Sequence, residues 1–153
     1  MHDDLPSFST QGLGSPLFPP HGRVQWHIDG QLLRSEVVGP FNKELAQLVG
    51  PILHKAFSQL VAQGPCAEVV VVQQNALAGP DVLAALAQGL RQLVQAGLAP
   101  RGTAFVIAPE VEGSHMMPAL LAQSYADAGW PAFQVFATLE EANTWVQGLL
   151  AAP

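Results

Sequence analysis

The feature that most constrains this chain is a block of four consecutive valines at positions 69–72. An unbroken β-branched run is typical of a strand that is buried on both faces, as in an α/β sheet covered by helices. A buried helical segment would be equally apolar. However, Gly64 and Pro65 precede the block and turn-forming residues occupy 75–80, so the run has only the length of a strand. The block therefore predicts a central strand.

A hairpin is predicted before this strand. Residues 23–29 alternate between apolar and polar side chains, which indicates a strand with one buried face. Asp29 and Gly30 form a hairpin turn signal, and residues 31–38 return as the second strand. A Gly-Pro pair at 39–40 ends that strand, because proline cannot donate to a strand ladder.

Helical periodicity alternates with short apolar strands over the rest of the chain. Pro51 lies inside the first helical stretch and predicts a kink or a restart, because an interior proline costs a helix roughly 3 kcal/mol. Asn42 suits the N-cap of this helix, and Thr138 with Glu141 forms a capping box before the last one. The predicted helices cover about 42–64, 80–97, 117–128 and 138–150, and the later strands cover 103–108 and 133–137.

The order of elements predicts an α/β fold of the form β-β-α-β-α-β-α-β-α. The hairpin opens a mixed five-stranded sheet, and the later strands enter through helical crossovers, which impose parallel pairing. Helices pack on this sheet. Residues 23–153 are predicted to form a single domain, and the proline-rich residues 1–22 are predicted to be a disordered tail.

Composition restricts the classes of partner. The net charge of −6 argues against nucleic acid, because phosphate binding needs a basic surface. Charged residues make up only 12% of the chain, so a protein partner, a second copy or an apolar ligand could cover part of its surface. A core rich in Ala, Leu and Val under Gln-rich faces would give the same composition. No apolar run approaches a membrane span and no secretory signal begins the chain, so a cytoplasmic location is expected.

This pattern resembles the STAS superfamily, specifically its SpoIIAA-like branch of small bacterial proteins. The resemblance is carried by residues 36–42 leading into a helix and by the valine strand running into a loop and a helix. It is also carried by residues 138–146, where an early Ala and a later Trp are similar to the residues that dock the last helix in that family. The resemblance covers roughly residues 23–150 and implies the same fold there.

The resemblance also directs attention to the loop after the central strand. In anti-sigma-factor antagonists of this superfamily, a partner kinase phosphorylates a serine there, where a helix N-terminus stabilises the phosphate. The equivalent loop, residues 75–82, contains no Ser or Thr, so that switch cannot operate at this site. Asp81 could supply a fixed negative charge, or it could be an ordinary acid in the first turn of a helix.

The favoured hypothesis is a non-enzymatic binding module for a protein partner or for a second copy in a homodimer, with no cofactor. Two turns at the same end of neighbouring strands are predicted to form its binding surface. The predicted partner-binding residues are Gly39, Pro40, Phe41, Asn42, Asn75, Leu77, Gly79 and Asp81.

Two other hypotheses stay open. The chain could carry an apolar or lipid-like molecule between sheet and helices, in a pocket lined by soft or flat side chains that would otherwise be plain core: Phe105, Met116, Met117, Trp130, Phe133 and Trp145. Alternatively, Glu110, Glu112, Ser114 and His115 could form a metal site or a hydrolytic Ser/His pair, or simply a solvated loop. No nucleotide-binding glycine motif is present.

Overall fold

The computed structural model describes residues 7–9 and 22–153. One sheet holds six strands, which lie side by side in chain order. The strands are β1 (Ser7–Ser9), β2 (Arg23–Asp29), β3 (Leu32–Val38), β4 (Ala67–Gln73), β5 (Thr103–Ile107) and β6 (Phe133–Phe136). The helices are α1 (Lys43–Gln63), α2 (Pro80–Gln95), α3 (Met117–Asp127) and α4 (Leu139–Ala151).

The predicted fold class is confirmed. Strands β2 and β3 form the antiparallel hairpin, and β3 to β6 pair in parallel, with a helix in each crossover. The valine block lies in β4 at the middle of this parallel set. Val70 and Val72 belong to the core on one face of the sheet, and Val69 belongs to the core on the other face.

A sixth strand, β1, was not predicted. It pairs antiparallel with β2, with Phe8 opposite Trp26. It lies within the segment predicted to be a disordered tail, and the rest of that segment is outside the described residues. Three residues are too few to show a period of two, so such a strand is specified by the free edge of β2 rather than by its own pattern.

The helices form two layers. Right-handed crossovers between consecutive parallel strands that step in one direction place their helices on one face of the sheet. Residues of α1, α2 and α3 accordingly share one core, which includes Phe57, Leu90 and Leu121. Helix α4 follows the last strand and covers the other face, where Ala142 and Val146 form a smaller core.

The predicted N-caps of α1 and α4 are confirmed, and of the kink or restart predicted at Pro51, the restart does not occur. Asn42 Oδ1 accepts a 3.0 Å hydrogen bond from the Leu45 amide, and Thr138 Oγ1 accepts one of 3.3 Å from the Glu141 amide. Helix α1 runs through Pro51 as a single element. Pro51 is exposed, so water can bind the carbonyl group that loses its amide donor there.

Candidate functional site

A cavity of about 110 Å³ lies between the sheet and helices α1, α2 and α3. Its walls are almost entirely apolar and come from four strands and all three helices of that face. The residues that line it are Val24, Trp26, Ser35, Val37, Phe41, Leu45, Ala46, Val49, Leu53, Glu68, Val70, Val72, Ala76, Ala78, Val82, Leu83, Leu86, Phe105, Leu121 and Tyr125.

Strand alternation places two polar side chains in this apolar space. Glu68 is two residues before Val70 on β4, so both side chains face the helices α1 to α3. Ser35 stands opposite Val70 in the register of β3 and β4, on the same face. Glu68 and Ser35 are therefore diagonal neighbours on the floor of the cavity.

Glu68 is held by a directed chain of hydrogen bonds. Only 3% of the residue is exposed, and its Oε1 accepts a 2.8 Å bond from Thr103 Oγ1. Thr103 Oγ1 in turn accepts a 2.9 Å bond from Nε1 of Trp130. A threonine hydroxyl has one proton, and here that proton points to Glu68. The chain fixes one carboxyl oxygen, and the other has no hydrogen-bond partner among the described residues.

Burial changes the protonation of this region. It raises the pKa of Glu68 to about 7, although the Thr103 hydrogen bond acts in the opposite direction. Burial, with a smaller contribution from the charge of Glu68, raises the pKa of the Cys66 thiol to about 11 and that of Tyr125 well above its ordinary value. Near neutral pH, Glu68 is the group among these three that changes charge.

Ser35 and Tyr125 add two further oxygens to the cavity wall. Ser35 is 2% exposed, and its Oγ has no hydrogen-bond partner among the described residues. The Tyr125 ring is fixed by stacking on Phe133, with ring centroids 4.3 Å apart, and by an edge contact with Trp130 at 5.6 Å. We call Glu68, Ser35 and Tyr125 the polar triad of the cavity.

The two turns predicted to bind a partner lie together at one end of this cavity. The Gly39 amide donates a 2.9 Å bond to the Asn75 carbonyl oxygen, and the Phe41 amide donates one of 3.1 Å to the Leu77 carbonyl oxygen. Phe41 and Ala78 form a parallel bridge, and both line the cavity. We call residues 39–42 and 75–81 the loop edge. Its predicted position at the carboxyl ends of neighbouring strands agrees with these contacts, and its binding of a partner stays a prediction.

Several residues of the loop edge have structural roles. Asn42 caps α1, and Asn75 Oδ1 accepts a 2.8 Å bond from the Leu77 amide. A side chain at Gly39 would collide with the Asn75 carbonyl oxygen, so glycine permits the close approach of the two turns. The exposed residues on this edge are Pro40, Pro80 and Asp81.

The aromatic and methionine residues proposed from sequence to line an apolar pocket are dispersed. Only Phe105 lines the cavity. Trp145 packs against Phe136 on the opposite face of the sheet, so its predicted place in a pocket with Phe105 is wrong. Met116 is 55% exposed, whereas the remaining three are in the core or packed against it: Met117, Trp130 and Phe133.

The loop considered for metal binding or hydrolysis, residues 110–115, contacts the residues that follow the C-terminal end of β4. The Glu112 amide donates to the Gln74 carbonyl oxygen at 3.1 Å, and Glu112 is bridged to Asn75. The Ser114 hydroxyl donates its proton to the Pro109 carbonyl oxygen at 2.9 Å, so this proton is not shared with His115. Within residues 7–9 and 22–153, no cluster of three His, Cys, Asp or Glu side chains could hold a metal ion.

Sequence reasoning did not identify the polar triad. Glu68 directly precedes the valine block, and strand alternation places it on the same face as Val70 and Val72. That contradiction, an acid on a buried face, was the available signal. Ser35 and Tyr125 gave no signal: the proximity of Ser35 to Glu68 depends on the register of β3 and β4, and that of Tyr125 depends on the packing of α3 over the sheet.

Comparison with known protein families gives no match for this chain, and comparison with curated proteins gives none either. In the part of the chain that the structure describes, no helix is long and apolar enough to span a bilayer. Function is therefore inferred from the cavity and the loop edge.

Proposed function

We propose that this protein is a binding module for a small, largely apolar molecule, which occupies the cavity between the sheet and helices α1 to α3. The observation that carries the proposal is the Ser35 hydroxyl, a buried polar group in an apolar cavity without a described partner. A buried polar group without a hydrogen bond costs about 1–3 kcal/mol, which a polar atom of a ligand would recover. Apolar walls with a few convergent polar groups are typical of ligand sites.

The volume restricts the size of the ligand. An engineered cavity of about 150 Å³ binds benzene, so 110 Å³ suits roughly four to six non-hydrogen atoms. A long lipid chain would fit only if most of it stayed outside. This favours a compact ligand over the lipid-like molecule suggested by sequence.

Binding of isobutanol, followed by amide NMR shifts of the full chain, tests this function. We expect saturable shifts that are largest at residues lining the cavity. Ala78→Leu should weaken binding at least tenfold, because the larger side chain occupies one end of the cavity. Ala122→Leu makes the same chemical change on the exposed face of α3 and should leave binding unchanged. Shifts that do not saturate, or that are equal in both variants, would contradict the proposal.

A second candidate function is association with a protein partner or a second copy through the loop edge, within the SpoIIAA-like branch of the STAS superfamily and in the cytoplasm. The hydrogen bonds between the two turns support it, because they make one continuous edge with Pro40 and Asp81 exposed. The order of elements agrees with the fold that the resemblance implies. The loop has no Ser or Thr, so such an association would not be controlled by phosphorylation there.

Sedimentation velocity over a hundredfold range of concentration tests the self-association. We expect a dimer that Asp81→Lys weakens and that Asp127→Lys, an exposed acid at the end of α3, does not. A monomer at every concentration would remove the homodimer and leave only a different protein as the partner.

A further inference from the structure

The cavity has an unbalanced charge. Glu68 is its only carboxyl group, and no Lys, Arg or His is among the described residues that line it. A ligand carboxylate or phosphate would lie beside Glu68 with no cation to stabilise it, and like charges in apolar surroundings repel strongly. Anionic ligands are therefore disfavoured. A ligand with a cationic group or a neutral hydrogen-bond donor would be compatible with Glu68.

The polar triad also has a defined hydrogen-bonding capacity. The second carboxyl oxygen of Glu68 and the Ser35 oxygen have no hydrogen-bond partner among the described residues. Tyr125 lines the same cavity as Glu68 and Ser35. All three oxygens can accept a hydrogen bond. Three acceptors around an apolar space match a group with three donors.

We propose that the ligand of the cavity is a small apolar primary amine, bound as an ammonium ion that donates one hydrogen bond each to Glu68, Ser35 and Tyr125. This inference rests on the proposed binding function. An ammonium ion provides three donors and the one positive charge that Glu68 lacks. A buried ion pair is favourable only if its remaining protons are also bonded, and the two hydroxyl groups meet that requirement.

The amine should bind more weakly as the pH falls. A protonated Glu68 must release its proton before it can pair with ammonium, and burial raises the pKa of Glu68 to about 7. The other titratable groups near Glu68 are Cys66, the residue just before β4, and Tyr125 on α3, and both stay neutral below pH 8 because burial raises their pKa values. A simple aliphatic amine stays charged over this range. The pH dependence of amine affinity therefore measures the ionisation of Glu68.

The test uses three probes of similar shape that fit the size limit of the cavity, isobutylamine, isobutanol and isobutyrate, titrated into the full chain and followed by NMR. At pH 7.5 we expect isobutylamine to bind at least tenfold more tightly than isobutanol, and isobutyrate to bind least. Between pH 7.5 and pH 5.5 the affinity for isobutylamine should fall about twentyfold, as the ionised fraction of a group with a pKa of about 7 does, while that for isobutanol stays constant.

Glu68→Gln should remove the preference for isobutylamine and keep the binding of isobutanol, because glutamine has the same shape without the charge. Glu110→Gln, which changes an exposed carboxyl group outside the cavity, should leave both affinities unchanged. If the Glu68→Gln variant does not fold, the pH dependence of isobutylamine binding to the unaltered protein tests the role of Glu68 instead.

The outcomes separate the two proposals. Tighter binding of isobutanol or isobutyrate, or an affinity for isobutylamine that does not change with pH, would overturn the amine and leave the cavity as a binding site. No saturable binding of any probe would overturn both.

Discussion

At the scale of single residues, the buried acid Glu68 is the main departure from what a central strand requires. An isolated charge in an apolar interior is costly, so Glu68 is partly neutral near pH 7 and is oriented by one hydroxyl group. The neighbouring positions 69–72 follow the expected pattern for a buried strand. A core that only needed stability would place a fifth apolar residue there, which is why we assign Glu68 to ligand binding.

Glu68 should make the stability of the protein depend on pH. Its folded pKa of about 7 lies above the ordinary 4.5, so its stabilising contribution is complete below pH 4.5 and is lost as the pH rises to about 7. That loss is roughly 3 kcal/mol. Glu68→Gln keeps a neutral acceptor for Thr103, so urea unfolding should show it more stable than the unaltered chain at pH 8 and similar at pH 4.5. Glu110→Gln should leave the dependence of unfolding free energy on pH unchanged. If the Glu68→Gln variant showed the same dependence on pH as the unaltered protein, the assignment to Glu68 would be wrong.

Thr103 should contribute to stability through two bonds at once. Thr103→Val keeps the shape but removes the acceptor of the Trp130 indole and the donor to Glu68. We expect a loss of about 1–3 kcal/mol, because the buried indole N–H is left unpaired, together with a further rise in the pKa of Glu68. Thr144→Val, at an exposed position on α4, is the control for chemical denaturation. Equal stability of the two variants would show that the hydrogen-bond chain is not formed.

At the scale of elements, the sequence was a reliable guide wherever a pattern persisted for a whole strand or helix. The valine block, the hairpin and the four helices are where periodicity placed them, and the caps at Asn42 and Thr138 are formed. Two features were not predicted from the sequence: strand β1 and the continuity of α1. Strand β1 is too short to show a period, and α1 continues through Pro51 because that residue faces water.

The approach of the two turns in the loop edge should depend on Gly39. Gly39→Ala places a Cβ against the Asn75 carbonyl oxygen and near the Phe41 ring, so the turns must separate. We expect a loss of about 1–3 kcal/mol and weaker isobutanol binding, because the end of the cavity opens. Gly148→Ala, where a Cβ on α4 meets nothing within 4 Å, should instead stabilise by about 0.5–1 kcal/mol. A destabilised Gly148→Ala, or an unaffected Gly39→Ala, measured by thermal unfolding, would contradict this account.

At the scale of the whole molecule, the cavity has no counterpart in any local pattern. It exists because α1, α2 and α3 together span the sheet without filling the space above Val70 and Val72. Periodicity predicts which face of each helix is buried, but it does not predict how closely three helices pack. The sequence could therefore predict the layers and the position of the loop edge, whereas the polar triad required the assembled fold.

The two cores on either side of the sheet should unfold together, because β4 and β5 contribute side chains to both. Val146 is fully buried in the smaller core under α4. Val146→Ala removes two methyl groups and should lower the free energy of unfolding by about 2 kcal/mol. Hydrogen exchange of the amides of α4 and β4 measures whether the loss is shared: we expect the slowest amides of both elements to lose protection equally. If the α4 amides alone become faster while β4 keeps its protection, α4 opens separately and the sheet does not couple the two cores.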